Sequence, residues 1–529
     1  MPSFQQRIAK LQQTDANGLF KNILRGVEKE SLRVTHQGGL ALTPHPTALG
    51  STLTHPQITT DYSEALLEFI TPPSTSVADV LKTLDNIHRY TYQNIGEELL
   101  WVNSMPCQLG TDNDIPVGQY GHSNIGRMKT IYRVGLGHRY GRLMQTIAGI
   151  HYNFSLPEIF WQWLQQQEAP DSNLQDFTTE RYFALIRNFR RYFPLLLFLF
   201  GAAPAVCRSF VKDRQHSLES FNGDPHSLHK PYATSLRMGD LGYQSKAQET
   251  LVVCYNELDT YIRTLRGALT ESYPPYQQIG LKDSFGDYRQ LSTNLLQIEN
   301  EFYSTIRPKR NANSGETPLN ALHARGVEYI EVRCLDLNPY LPVGISEQQI
   351  HFLDSFLVFC LLEESPATDA EETANILENQ RRTVYYGRDP ELTLLHKGQE
   401  KPIAALIAEL FTRMEPVSAL LDSHQQTTAH GDAIKAFKMF ISKPELTASA
   451  QILNEMRTKG QTYFEVAMNH ARQHRQYFLD TPPAPDIVEQ YQQMAVESLK
   501  QQRAIEVADE IDFDTFLANY YRQYDNLTP

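Results

Sequence analysis

Two acidic residues in the run RGVEKESLRV at 25–34 could hold a divalent cation. Glu28 and Glu30 alternate with Lys29. If the run is a strand, its side chains alternate between the two faces, so the two carboxylates share one face about 6.5–7 Å apart and Lys29 points away. Two such carboxylates repel one another unless a cation or a proton lies between them. The run therefore predicts either a solvated acidic strand face or one side of a cation site.

A second acidic run, ITTDYSEALLEFITP at 58–72, carries Asp61 and Glu68. The neighbours of Glu68 on both sides are apolar. A charged residue in so apolar a stretch is rarely buried without a partner. Glu68 therefore either faces solvent or takes part in a site.

Two more strand-like runs offer further ligands. In IHYNF at 150–154, His151 and Asn153 share a face, and a single histidine there is either a hydrogen-bonded core residue or a ligand. In EYIEVR at 328–333, Glu331 and Arg333 share a face. They form either a salt bridge or a metal carboxylate beside a phosphate-binding guanidinium. Oxygen donors with one imidazole suit Mg²⁺ or Mn²⁺ better than zinc, because the chain has no His-Glu-x-x-His motif and no cysteine cluster.

A basic, glycine-containing run at 119–133, QYGHSNIGRMKTIYR, could supply the counter-charge. It is not a P-loop, because Arg127 and Met128 stand where the motif needs Lys and Ser or Thr. No GxGxxG follows a strand either, so any ATP site uses neither familiar glycine loop. The runs 231–243 and 297–310 each indicate an ordinary loop.

The elements that must position these residues change along the chain. Residues 1–345 carry short alternating runs interrupted by Gly and Pro, which predict strands. After Pro342, Ser346-x-x-Gln349 is a capping box before apolar residues spaced three and four apart, and a proline-rich break precedes a last helix near Asp486. We predict an α+β fold, with an antiparallel sheet in the first two-thirds and a mainly helical part, 346–529, packed around it. No stretch is typical of a flexible linker, so 1–529 is expected to be a single catalytic domain.

Composition excludes several classes of protein. The 529 residues include 48 Lys and Arg against 61 Asp and Glu, a net charge of −13, which is not the overall pattern of a nucleic-acid binder. The uncharged, largely apolar run 192–207 is shorter than the ~20 apolar residues that cross a bilayer, and residues 1–13 carry no apolar signal segment. The five cysteines are odd in number and far apart, which argues against a disulfide scaffold or a zinc module and fits a reducing cytoplasm.

Eight long runs of the chain resemble the bacterial glutamate–cysteine ligase (γ-glutamylcysteine synthetase) family, in the branch typified by the enterobacterial enzyme. They keep their order over more than 300 residues, and the resemblance weakens after about residue 395. The runs are RGVEKESLRV at 25–34, ITTDYSEALLEFITP at 58–72, SMPC at 104–107, QYGHSNIGRMKTIYRVGL at 119–136, RYGRLMQTIAGIHYNFSLP at 139–157, PYATSLRMGDLGY at 231–243, LLQIENEFYSTIRPKR at 295–310 and GVEYIEVRCLDLNP at 326–339.

The resemblance implies a reaction and a fold. ATP, L-glutamate and L-cysteine would give γ-glutamylcysteine, ADP and phosphate through a γ-glutamyl phosphate intermediate, the first step of glutathione synthesis. The implied fold is of the glutamine-synthetase type, a curved antiparallel sheet that forms a funnel with ATP and two or three Mg²⁺ (or Mn²⁺) ions on its inner wall. A cytoplasmic location and feedback inhibition by glutathione are also implied, with no nucleic-acid or membrane partner.

The resemblance also implies roles for single residues. The metal shell would be Glu28, Glu30, Asp61, Glu68, His151 and Glu331. Arg333 would contact the phosphates and the transition state, and it would act with Glu331 as a catalytic residue. The cysteine pocket would be Tyr132, Leu136, Ile147, Arg237, Tyr243 and Tyr303, with glutamate or phosphate contacts from Arg133, Gln145 and Asn153.

Two other functions are compatible with the same residues. One is a related carboxylate–amine ligase that uses a different amine acceptor. The other is a metal-dependent hydrolase or a non-catalytic nucleotide sensor, which the acidic cluster alone would also suit. Preference for cysteine over thiol-free amines, and turnover of ATP, would separate them from the ligase.

Overall fold

The computed structural model describes residues 2–14, 18–212, 214–242, 246–248 and 251–527. The strands in these ranges are β1 (Leu24–Val34), β2 (Ile58–Thr60), β3 (Leu66–Ile70), β4 (Leu99–Leu100), β5 (Ile150–Ser155), β6 (Ala205–Cys207), β7 (Glu219–Ser220), β8 (Ser227–His229), β9 (Ile306–Lys309), β10 (Tyr329–Leu335), β11 (Thr393–His396) and β12 (Gln399–Pro402). The α-helices are α1 (Phe4–Gln13), α2 (Val77–Asn94), α3 (Asn124–Tyr140), α4 (Glu158–Glu168), α5 (Leu174–Phe200), α6 (Leu258–Thr270), α7 (Pro274–Ile279), α8 (Pro318–Arg325), α9 (Glu347–Leu362), α10 (Ala370–Tyr386), α11 (Ile403–Gln425), α12 (Ala429–Ser442), α13 (Ala448–Lys459), α14 (Tyr463–Asp480), α15 (Pro485–Ala508) and α16 (Phe513–Arg522).

The main sheet is antiparallel and joins strands from distant parts of the chain. Its order is β2-β3-β1-β5-β10-β9, and β4 pairs with the end of β1. The strands predicted in the four acidic or histidine-bearing runs are confirmed. The edge strand β9 lies in a run that was predicted to be a loop, and it contains Pro308. Proline lacks the N–H that a central strand needs, but an edge strand tolerates it.

The helices pack mainly behind this sheet. Val27 on β1, Tyr152 on β5 and Val332 on β10 are buried on the face that packs against α2, α5 and α9. The predicted helix after Ser346 is confirmed as α9, and the Ser346 hydroxyl accepts a hydrogen bond from the Gln349 N–H at 3.1 Å. The sequence predicted one apolar face, but α9 is buried on all sides because α5, α11 and α12 surround it.

The helical final part is confirmed, with two differences from the prediction. The helix expected near Asp486 is α15, but a further helix, α16, follows it. The basic run at 119–133 was not predicted to be helical, yet most of it forms the start of α3 behind the N-cap Ser123. Among the described residues, no helix is both long and apolar enough to cross a membrane.

Two of the five cysteines are paired, which the sequence did not predict. Cys107 and Cys207 form a disulfide, with their Cα atoms 5.4 Å apart and a sequence separation of 100. Cys254, Cys334 and Cys360 are free. Spacing along the chain gave no sign of the pair, because only the tertiary fold brings β6 beside the loop that carries Cys107.

Candidate active site

The open face of the main sheet borders a cavity of about 450 Å³. Asn153 is not among the residues lining it, and Tyr243 lies outside the described residues. The other fourteen residues predicted for the site all line this cavity: Glu28, Glu30, Asp61, Glu68, Tyr132, Arg133, Leu136, Gln145, Ile147, His151, Arg237, Tyr303, Glu331 and Arg333.

Strand register brings the acidic residues around His151. Glu28 on β1 lies directly opposite His151 on β5, and Glu30 lies opposite Glu68 on β3. The His151 Nδ1 atom is 3.0 Å from a Glu28 carboxylate oxygen and 3.9 Å from one of Glu331, while Nε2 is 3.6 Å from Glu30. The imidazole of His151 therefore lies among three carboxylates from two strands, β1 and β10.

The carboxyl groups of this cluster have pKa values shifted in opposite directions. Burial raises the pKa of Glu68 well above its usual value, and the nearby charges of Glu28 and Asp61 raise it further. Burial and the Asp61 charge likewise raise the pKa of Glu30. Burial also opposes ionisation of Glu28, but the hydrogen bond from His151 leaves its pKa lowered. Ionisation is therefore disfavoured at Glu30 and Glu68 and favoured at Glu28 within one cluster.

The donor set fits a hard divalent cation. Ligand atoms of Glu28, His151 and Glu331 all lie within 4.8 Å of one another. The remaining donors nearby are carboxylate oxygens, which Mg²⁺ and Mn²⁺ prefer. A cation among them would offset both the burial and the carboxylate repulsion that raise the pKa values of Glu30 and Glu68.

Two cationic side chains lie beside Glu331. Arg333 Nη1 donates to a Glu331 oxygen at 3.1 Å, and Lys309 Nζ donates to the other oxygen at 3.3 Å. Burial opposes ionisation of Glu331, but these two cations hold its pKa well below the usual range. The pairing of β10 with β5 shifts register between Val332 and Leu335, where Arg333 lies. Such irregularities commonly redirect a side chain beside an active site.

The sequence did not identify Arg307 and Lys309, which both line the cavity. Their separation by one residue on β9 is the signal that could have found them, since residues two apart share a strand face. Pro308 lies between them and argues against a strand at this position.

Helix α3 presents one face to the cavity. Among its residues that line the cavity are Lys129, Tyr132, Arg133 and Leu136. The intervals between these four are three, one and three residues, which places them on one side of a helix. The Arg133 guanidinium donates to the Asp61 carbonyl and stacks on the Tyr120 ring, 4.3 Å from its centroid. Burial, with a smaller contribution from Arg133, lowers the pKa of Lys129 to about 8. Lys129 was not predicted as a site residue.

The predicted cysteine pocket lies around Arg237. This buried guanidinium donates to the Arg333 carbonyl at 3.0 Å. A Cβ atom at Gly149 would lie 1.9 Å from Arg237 Nη2, so only glycine permits this approach. The Gln145 amide donates to the Tyr303 hydroxyl at 3.1 Å and so holds that ring in place.

Asn153 contacts the acidic cluster. Its amide donates to a Glu28 oxygen at 2.8 Å, so it orients a carboxylate of the cluster. Glu299, Glu301 and Tyr520 are among the lining residues that were not predicted. Tyr520 belongs to α16, where no motif indicates a site.

Comparison with known proteins agrees with this geometry. The family model described as glutamate–cysteine ligase matches residues 8–383. This chain belongs to the glutamate–cysteine ligase family. A relative of that name from Saccharophagus degradans is 53% identical over 503 residues, covering 95% of each chain. One from Alcanivorax borkumensis is 50% identical over 526 residues, covering 98% of this chain and 100% of the relative.

Solved structures show the same fold. The Francisella tularensis glutamate–cysteine ligase, solved in complex with AMP, superposes with a TM-score of 0.90 at 35% identity, covering 97% of this chain and 100% of that one. A bifunctional glutathione synthetase from Pasteurella multocida has a TM-score of 0.69 at 23% identity, covering 90% of this chain and 56% of that one, which shows the fold alone. The chain is therefore an enzyme, a ligase of the first step of glutathione synthesis, and its α+β fold is confirmed.

Proposed function

We propose that this ligase joins the γ-carboxylate of L-glutamate to the amine of L-cysteine in two steps within the cavity described above, at the expense of ATP. The observation that carries the proposal is the convergence of Glu28, His151 and Glu331 with Arg333 and Lys309 in one cavity. An amine does not displace hydroxide from a carboxylate at a useful rate. The carboxylate oxygen must therefore first be phosphorylated, which turns it into a good leaving group.

The acidic cluster would hold two or three Mg²⁺ ions, with Mn²⁺ as the substitute. When bound, such ions neutralise phosphate oxygens and bring two anions together. The residues proposed for this shell are Glu28, Glu30, Asp61, Glu68, His151 and Glu331.

In the first step, a γ-carboxylate oxygen of glutamate attacks the terminal phosphorus of ATP. The bond from that phosphorus to the bridging oxygen breaks, and ADP leaves. Arg333 and Lys309 stabilise the charge on the transferring phosphoryl group, since Arg and Lys are the side chains that suit this role. Arg133, Gln145 and Asn153 would contact the glutamate or the phosphates.

In the second step, the cysteine nitrogen attacks the acyl carbon of γ-glutamyl phosphate. The carbon–nitrogen bond forms, the carbon–oxygen bond to phosphate breaks, and the nitrogen loses a proton. Arg237 and the hydroxyls of Tyr132 and Tyr303 would bind the cysteine carboxylate. Leu136 and Ile147 would form a small apolar wall for the thiol.

The same pockets would admit glutathione, which contains both a γ-glutamyl and a cysteinyl group, so we propose it as a competitive inhibitor. We also propose a cytoplasmic location, which the bacterial relatives and the use of ATP support.

Substitution Glu331→Gln tests the proposal. It keeps the size of the side chain but removes the carboxylate charge that contacts Arg333 and Lys309 and that belongs to the proposed metal shell. We expect Mg²⁺-dependent, cysteine-dependent ADP release to fall by a factor on the order of 10² or more, the size typical of losing one electrostatic contact to the reacting groups. A coupled ADP assay, with each amino acid omitted in turn, measures it.

Glu328→Gln is the matched control, because Glu328 is exposed, lies three residues away and does not line the cavity. Its turnover should equal that of the wild type. Unchanged turnover in Glu331→Gln would remove Glu331 from the metal shell.

A further inference from the structure

The last helix of the chain forms part of the active-site wall. Tyr520 on α16 lines the cavity, although the match to the family model ends at residue 383. Beside it, Phe513 and Leu517 pack with Met128 of α3 in a small apolar cluster. The end of the chain is therefore fixed against the helix that carries part of the site.

Two tyrosines beyond this contact hold a loop of the cavity, residues 297–303. The Tyr524 hydroxyl donates to a Glu299 carboxylate oxygen at 2.8 Å, and both side chains are buried. The Tyr521 hydroxyl donates to the Gln297 carbonyl at 2.8 Å. The C-terminal segment thus contacts this loop at two points.

Helix α3 holds the same loop at Gln297. The Gln297 amide donates to the Tyr132 carbonyl at 3.2 Å. A Cβ atom at Gly135 would lie 2.1 Å from the Gln297 side-chain oxygen, so the glycine permits this close approach.

A second contact with α3 lies further along the loop, at Glu301. This carboxylate accepts hydrogen bonds from Arg139 and from the Tyr140 hydroxyl, each at 2.8 Å. The loop is therefore fastened on one side by α3 and on the other by the C-terminal segment.

The loop ends at Tyr303, opposite Tyr132 in the cysteine pocket proposed above. We propose that residues 512–527 act as a clamp that positions this loop, through Tyr524 and Tyr521, for binding of the amino acid acceptor. The clamp rests on the proposed assignment of the acceptor pocket. Tyr521 and Tyr524 are positioning residues, since they reach the loop rather than the substrate.

The Tyr524 hydroxyl is the stronger of the two contacts. A hydrogen bond to a buried carboxylate is worth more than one to a neutral carbonyl, and its loss leaves a buried charge short of a partner. Without the Tyr524 hydroxyl, the hydrogen bond that remains to the Glu299 carboxylate from outside the 297–303 loop is the one that the Leu319 N–H donates at 3.2 Å. The loop would keep its fold but lose its fixed position.

Substitutions Tyr524→Phe and Tyr521→Phe test the clamp, because each removes only a hydroxyl. We expect the KM for cysteine to rise roughly tenfold in Tyr524→Phe and roughly threefold in Tyr521→Phe. The KM values for ATP and glutamate, kcat at saturating cysteine and Tm should stay close to those of the wild type.

Tyr288→Phe is the matched control. The Tyr288 hydroxyl donates to Asp514 at 2.7 Å, on the same C-terminal helix but away from the cavity. This variant should show no change in the KM for cysteine. If the KM for cysteine rose as much in Tyr288→Phe as in Tyr524→Phe, any weakening of the α16 contacts would have the same effect. That result would overturn the specific role of the clamp.

Tyr303→Phe separates this proposal from the assignment of the pocket. If Tyr303→Phe raises the KM for cysteine but the two clamp variants do not, the clamp is overturned and the pocket stands. If the clamp variants raise it and Tyr303→Phe does not, the clamp stands and the assigned contact of Tyr303 fails. A fall in Tm together with rises in all three KM values would show a merely structural role and would also overturn the clamp.

Discussion

At the scale of single residues, Lys129 is a cation that no motif singled out. It lies on the cavity face of α3, one turn before Arg133. Burial lowers its pKa to about 8, so its charge changes close to neutral pH. A lysine so placed binds an anionic substrate only while it is protonated.

Lys129 should make substrate binding depend on pH. Below about pH 8 the ammonium is charged, and as the pH rises through this value it loses its proton and its attraction for anions. We expect the KM for ATP or for glutamate to rise on the alkaline side in the wild type. Lys129→Gln should raise the same KM roughly tenfold at pH 7 and remove this part of the pH dependence.

Steady-state KM values between pH 6.5 and 9 measure the effect. Lys435→Gln is the control, because Lys435 is exposed on α12. An identical alkaline rise in the wild type and in Lys129→Gln would contradict the role of Lys129.

At the scale of elements, a buried charged network fastens the helices to the back of the sheet. Asp354 on α9 accepts hydrogen bonds from the Tyr152 hydroxyl at 2.5 Å and from Arg25 at 2.7 Å. His430 on α12 lies 3.6 Å from Asp354 and 2.9 Å from Asp422 on α11. Tyr152 alternates with His151 on β5, so this network lies directly behind the acidic cluster.

His430 should link stability to pH. Burial opposes its charging, but the two carboxylates leave its pKa raised above 6.5. A group whose pKa is raised by folding stabilises the protein fully below its unfolded pKa and loses that contribution as the pH rises through the folded value. We expect Tm to fall between pH 6 and 9, and Asp422→Asn to lower Tm at pH 6 and to flatten this slope.

Thermal unfolding of both proteins across that range is the measurement. Asp432→Asn, an exposed position on α12, should leave the slope unchanged. Equal slopes in the wild type and in Asp422→Asn would show that His430 does not carry the dependence.

Local patterns predicted some elements and missed others. The period of two in β1, β5 and β10 and the cap at Ser346 were sufficient, because both signals act within a few residues. Strand β9 was not predicted, because its stability comes from pairing with β10. Helix α3 was not predicted, because its residues face a polar cavity instead of an apolar core.

At the scale of the whole molecule, one apolar core runs through both parts of the chain. It extends from Ile8 through the sheet to Leu527, and α9 at its centre is fully buried. We therefore propose that residues 1–529 form a single catalytic domain.

A single domain should unfold as one unit. We expect one calorimetric transition for the whole chain, and we expect residues 1–345 alone to lack a cooperative transition, because the buried surface that α9 covers would meet water. Calorimetry and circular dichroism of the two proteins test this. Two separate transitions in the whole chain, or a stably folded 1–345 fragment, would contradict it.

The sequence by itself determined the family and the reaction, and it predicted the candidate metal ligands. Residue types and the spacing within each run are local properties, so Glu28, Glu30, His151 and Glu331 were identified before their positions were known. Only the tertiary structure decided that Glu28 faces His151, that Cys107 reaches Cys207 and that Tyr520 joins the cavity. Contacts between segments 100 or more residues apart depend on how the whole core packs, and no local pattern encodes that packing.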